Sequence, residues 1–355
     1  MDRIARMAQV DGQCLHGAQY RAYGAATRRI SCWICCATDW ALRSSVLTVM
    51  SAAAITSVQD VSIKGISGDY PFHEMQTIRC AWAMLVVVPV LLWGEPLKAL
   101  WQFGWPRILG RGLLYAIASV CFYLTAAAMP FPEAVALYYT MPLLVAALAG
   151  PVLGERVPLY RWIAVGGGFA GILVMMRPGS GVFEPAALIG VTCATLYAIG
   201  HLITRSFVAG ISTAVIAVHQ NTMYLATAIA IALVFGWGGL EVSGHPSLVY
   251  LTRPWVWPTT PDLLLMAGVG LSTGLLMVLF TLAYRLAPSS FVAPFEYSSM
   301  FWAVLFSYLI LGDVPDRTAM TGIALIVGAG LFMLLMDRYM TVARPSTIAE
   351  RGTER

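Results

Sequence analysis

Ten stretches of about twenty mostly apolar residues run through this chain of 355, most of them separated by very short connections. A bilayer's hydrocarbon core takes about 20 apolar residues of helix to cross, so lipid is the solvent this pattern calls for. The stretches lie near 44–64, 73–93, 109–129, 132–152, 159–177, 186–206, 213–236, 263–284, 288–311 and 318–336. No water is present at that depth to satisfy backbone N–H and C=O groups. Each span is therefore expected to be an α-helix that bonds them internally. Composition agrees. Hydrophobic residues make up 59% and charged residues 11%, against about 25% charged in soluble domains. The fold expected is an all-α membrane protein of ten transmembrane helices, with the lipid bilayer as its main partner. No block of Lys and Arg interleaved with aromatics occurs, so no nucleic acid is expected.

Residues 1–43 hold no long apolar run and carry Arg3, Arg6, Arg21, Arg28, Arg29 and Arg43. Cys32, Cys35 and Cys36 form a CxxCC cluster there, and Cys14 with His16 completes four or five ligands on paper. The plainer reading is an unstructured cytoplasmic tail, or residues upstream of the true start codon. A chain starting near residue 44 is then expected to stay functional. Cys80, Cys121 and Cys193 lie in apolar runs, where Cys serves as a small hydrophobe. No metal or other cofactor is expected. The one long connection, about 237–262, carries Trp237, Trp255, Trp257, Pro246, Pro254 and Pro258, which suits a loop at headgroup level.

Placement of the 22 Lys and Arg residues sets the orientation. With both termini inside, the outer segments hold only Lys64, Arg177, Arg253 and Arg317. The inner ones hold nearly all the rest, including Lys98, Arg107 and Arg111 in the second loop. That bias predicts cytoplasmic termini and an inner (plasma) membrane location.

An internal repeat is visible. Pro151–Gly171 reads PVLGERVPLYRWIAVGGGFAG, and Ile310–Gly330 reads ILGDVPDRTAMTGIALIVGAG. Both pass from Leu-Gly-acid through Val-Pro into a Gly-rich helix. Met129-Pro130-Phe131-Pro132 likewise matches Ala287-Pro288-Ser289-Ser290. The halves, 44–177 and 178–338, have five helices each, and 339–355 is a second cytoplasmic tail. An odd count sends the second half through the membrane in the opposite sense, the inverted-repeat architecture of many secondary transporters. The glycines Gly166, Gly167, Gly168, Gly171, Gly322, Gly328 and Gly330 are read as close helix packing. They form no phosphate loop, since no GxxxxGK[ST] is present.

These motifs carry a resemblance. Pro132-Glu133-Ala134-Val135-Ala136, Met141-Pro142-Leu143-Leu144, Leu153-Gly154-Glu155-Arg156 and Ala283-Tyr284-Arg285-Leu286-Ala287-Pro288 resemble the EamA-type members of the drug/metabolite transporter superfamily, as do Asp60, Lys64, Tyr70-Pro71 and Arg79. Asp313 stands where the second half often has Glu. The resemblance covers about 44–340. It implies a central cavity shared by two halves and carriage of an amino acid, a vitamin, a nucleotide-like compound or a drug. It leaves direction open.

Ionisable groups in membrane helices cost about 2.5–3.5 kcal/mol on insertion scales, so they face the bundle interior or a wet cavity. Glu296, beside Tyr297, is the foremost candidate. It can take a proton or a cationic substrate group, and the competing reading is a structural pair with Arg79 or His201. Arg79 offers a planar fork for a carboxylate or phosphate, or snorkels to the interface. Asp60 and Lys64 are spaced i,i+4, which favours a local ion pair on one helix face. His201 and Gln220 either line a cavity or bond between helices. Tyr139, Tyr197, Tyr123, Tyr138, Tyr297 and Trp302 either stack on a planar substrate or pack. Glu155 and Asp313 are expected to cap or tether helix ends. A secondary transporter of a small-molecule substrate, working by alternating access, is the leading reading. The alternative is a membrane protein of non-transport function, an enzyme or a scaffold. No HExxH or Ser/His/Asp set supports an enzyme. Coupling to a proton or to an exchanged metabolite stays open, as does a homodimer.

Overall fold

The computed structural model describes residues 47–101, 104–154, 157–176, 185–207, 211–238, 242, 244–286 and 298–343. The CxxCC cluster, Glu155, Glu296 and Tyr297 lie outside the described residues.

Among the described residues all regular structure is helical. Helix α1 covers 47–66. It is followed by α2 (Phe72–Gly94), α3 (Trp105–Ala128), α4 (Phe131–Tyr138), α5 (Met141–Leu153) and α6 (Leu159–Met176). The second part has α7 (Ala186–Phe207), α8 (Thr213–Phe235), the short α9 (Pro246–Thr252) and α10 (Thr260–Leu286). It ends with α11 (Ser298–Phe306), which runs into a π-helical turn at Ser307–Leu311, and α12 (Arg317–Ala343).

Eight stretches are long and apolar enough to cross a membrane: Phe72–Gly94, Trp105–Ala128, Phe131–Pro151, Leu159–Met176, Ala186–Thr204, Ala214–Phe235, Thr260–Met277 and Arg317–Asp337. They match eight of the ten expected spans. Helix α1 is not among the eight because polar Ser57, Gln59 and Asp60 interrupt it. These side chains face the interior, with Ser57 and Gln59 buried. The described part of the expected 288–311 span is 298–311, an apolar helix too short to count.

The expected span 132–152 is broken at Tyr139 and Thr140. Pro142 has no N–H to give the Tyr138 carbonyl, so the helical ladder cannot run through. The Thr140 hydroxyl and amide both turn back to the Leu137 carbonyl, at 2.7 and 3.2 Å. The long connection also differs from a simple surface loop. Trp237 and Trp257 are exposed as expected, but α9 tucks inward with Ser247, Tyr250 and Thr252 buried. Ser247 donates to the Leu124 carbonyl at 2.7 Å. Tyr250 joins Phe72, Met75, Tyr123 and Met266 in an apolar plug over one end of the bundle.

Small residues set the helix spacing. Helix α6 packs along α12. A Cβ on Gly171 would stand 2.8 Å from the Gly322 carbonyl oxygen, and one on Gly322 2.8 Å from that of Gly171. Gly166 and Gly328, also read as packing glycines, face open space within 4 Å. Elsewhere α3 packs on α7 and α8, and α2 lies between α8 and α10. Lipid-side residues are large and apolar, such as Leu85, Leu92 and Trp93 on α2.

Candidate functional site

A cavity of about 680 Å³ lies between α1, α2, α3, α4, α7, α8, α10 and α11. That size falls in the range of small-molecule pockets, roughly 300–1,000 Å³. Arg79 is set at its wall by the packing of α2. At Gly270 the backbone of α10 comes close enough that a Cβ would meet the Arg79 carbonyl at 2.5 Å. From the other side Asn221 of α8 donates to the Cys80 carbonyl at 3.0 Å.

The Arg79 guanidinium donates to the Tyr123 hydroxyl and lies 5.3 Å from the centre of that ring. Tyr123 in turn donates to Asp60 Oδ1 at 2.8 Å. A phenol thus stands between a buried cation and a carboxylate. The expected Asp60–Lys64 pair does not form. Lys64 turns away to the Met129 carbonyl and to Asp313, 3.5 Å off. Asp60 faces the cavity and Lys64 the loops, so Asp313 ties the end of α1 to the loop before α12.

A second cationic centre lies within α3. Arg111 donates to Thr204 Oγ1 and, at 2.8 Å, to Gln220 Oε1, and its guanidinium lies over the Tyr115 ring at 4.1 Å. Gln220 passes the chain on to Tyr224, donating at 3.0 Å. Arg111 thus lies within a helix and not in the inner loop expected from the sequence. The available signal was Pro106, which suits the first turn of a helix. Helix α3 starts at Trp105, so Arg111 lies almost two turns inside and is buried.

Edge-to-face aromatic contacts join the two centres. Tyr115 meets Tyr197 at 5.0 Å, Tyr197 meets Tyr138 at 5.3 Å, Tyr138 meets Phe122 at 5.9 Å, and Phe122 meets Tyr123 at 5.2 Å. Tyr139, at the helix break, shares a hydrogen bond with Ser299 of α11. Of the residues singled out from sequence, the cavity gathers Asp60, Arg79, Tyr123, Tyr138, Tyr139, Tyr197 and Gln220. His201 is not in the lining. It lies one turn beyond Tyr197, exposed, with its ring 5.8 Å from that of Tyr115. Gln59 and Thr273, unremarked from sequence, line the cavity and bond to each other at 3.2 Å. Among the described residues no cluster of His, Cys, Asp and Glu could hold a metal ion.

Apolar spanning helices around a largely apolar cavity with a few charged groups in its wall define a multi-pass membrane protein. The model of the EamA-like transporter family matches residues 43–177. A riboflavin transporter of Rhizobium johnstonii is 32% identical over 228 residues, 64% of this chain and 70% of that one. An S-adenosylmethionine uptake transporter of Rickettsia prowazekii is 25% identical across 80% of this chain and 90% of its own. The pseudopaline exporter CntI of Pseudomonas aeruginosa is 27% identical across 81% and 95%. A solved crystal structure, 20% identical, covers 83% of this chain and 97% of its own with a TM-score of 0.57, a likeness of fold. The chain belongs to the EamA-like transporter family of the drug/metabolite transporter superfamily.

Proposed function

We propose that the protein is a secondary transporter that carries a small metabolite through this cavity by alternating access. The observation that carries the reading is the cavity itself. Two buried arginines and a carboxylate line a cavity among the helices of the bundle, where charge is costly unless it serves a ligand or a partner. The relatives named above are carriers of small metabolites, and they include both an uptake transporter and an exporter. Arg79, Asp60, Gln220, Tyr139 and Tyr197 are the proposed substrate contacts. Glu296 and Tyr297 join them on their place in the sequence, with Glu296 as the group that binds a coupled proton or a cationic part of the substrate.

The ten-helix, inverted five-plus-five arrangement belongs to this proposal, with 44–177 and 178–338 as the halves. Two features support it. Gly154 and Gly312, the glycines of the two Leu-Gly-acid motifs, end their helices with the same left-handed geometry, φ 69° and 71°. Contacts are also exchanged between the halves. Counting spans, the second packs on the eighth as the third packs on the seventh, and the second and seventh meet, as do the fifth and tenth. A two-fold relation between halves produces that pattern. Charge placement supports cytoplasmic termini in an inner membrane.

The test is a comparison of metabolites inside and outside cells that overexpress the wild type or Arg79→Gln. A compound whose distribution shifts with the wild type and not with the variant is the substrate. Identical profiles for wild type, variant and empty cells would count against transport.

A further inference from the structure

We propose that the cavity selects a planar organic monoanion, with Arg111 as the anchor of the anionic group; this rests on reading the cavity as the substrate site. Among the described residues the cavity is lined by Arg79, Arg111 and a single carboxylate, Asp60. Asp60 is engaged at the Arg79 end through Tyr123. Arg111 meets only neutral groups, the Thr204 and Gln220 oxygens and the Tyr115 ring. No carboxylate of the described residues forms an ion pair with it. Counted over the described residues, and with Glu296 carrying the coupled proton, the lining has one positive charge in excess. A ligand with one negative charge neutralises it.

Shape gives the rest of the ligand. The guanidinium of Arg111 lies 4.1 Å from the centre of the Tyr115 ring, with Nε given to Thr204 and one Nη1 hydrogen to Gln220, which leaves the Nη2 hydrogens and the second Nη1 hydrogen for a carboxylate. From Tyr115 the wall continues as Tyr197, Tyr138 and Phe122. Ring faces and edges along a wall suit a flat, conjugated body. A neutral molecule of the same shape would leave the excess charge uncompensated, and a cation would add to it.

The test uses the full chain in lipid nanodiscs and three probes of one shape: indole-3-acetate, indole-3-acetamide and tryptamine. Calorimetry should show the acetate binding about ten-fold tighter than the amide, the size of one charge-assisted contact, and tryptamine weakest. Arg111→Gln should bring the acetate to the level of the amide while leaving the amide nearly unchanged. Arg111→Lys, which keeps the charge and loses the fork, should retain a reduced preference. Equal binding of all three, preference for tryptamine, or binding by none would overturn the proposal. So would recovery of the acetate preference in an Arg111→Gln, Glu296→Gln double variant, because Glu296 would then be the counter-ion of Arg111. Selective acetate binding in a protein that moves nothing across proteoliposomes would uphold the anion site and remove the transport reading instead.

Discussion

The hydroxyl of Tyr123 accepts from Arg79 and donates to Asp60. Removing it in Tyr123→Phe leaves two charged groups without that partner in a buried place. A buried group left unsatisfied costs about 1–3 kcal/mol. The Lys64–Asp313 pair is more open, with side chains 17% and 35% exposed, and exposed ion pairs contribute roughly 0–1 kcal/mol. Thermal unfolding in detergent should therefore show a larger loss for Tyr123→Phe than for Asp313→Asn. The reverse order would place the weight of the structure in the loops. Residue pairing was the least legible level in the sequence. The i,i+4 spacing of Asp60 and Lys64 is a local signal, and it lost to partners 63 and 65 residues away along the chain. Arg111 was hidden for a related reason. Counted with the loops, it strengthened an orientation argument, and only the Pro106 start of α3 marks it as a buried group.

At the scale of elements, the apolar spans were legible because lipid forces helix and length together. What hydropathy does not carry is where a span breaks or dips. The interruption at Tyr139 was written in Pro142, yet an apolar window reads straight across it. The inward tuck of α9 depends on Ser247 meeting the Leu124 carbonyl, a contact with no local signature. Glycine runs were legible as a class and not one by one. Gly171 meets the Gly322 backbone, whereas Gly166 meets nothing within 4 Å. Gly171→Ala should therefore destabilise the α6–α12 crossing, by about 1–3 kcal/mol as an overpacking change, and Gly166→Ala should be near neutral. Equal melting temperatures for the two variants would contradict that placement of the helices.

At the scale of the whole molecule, a bundle of apolar helices surrounds a cavity with charged groups in its wall, in a chain that belongs to a transporter family. The alternating-access proposal requires that the cavity communicate with both sides of the membrane in turn. Ser119 of α3 lines the cavity and is buried, so it reports the cavity and not the surface. The direct measurement is labelling of Ser119→Cys, in a background without the natural cysteines, by a membrane-impermeant maleimide added to right-side-out or to inverted vesicles. Alternating access predicts labelling from both faces, with the balance between them shifted by a transported compound. Labelling from one face alone, whatever compound is present, would contradict it.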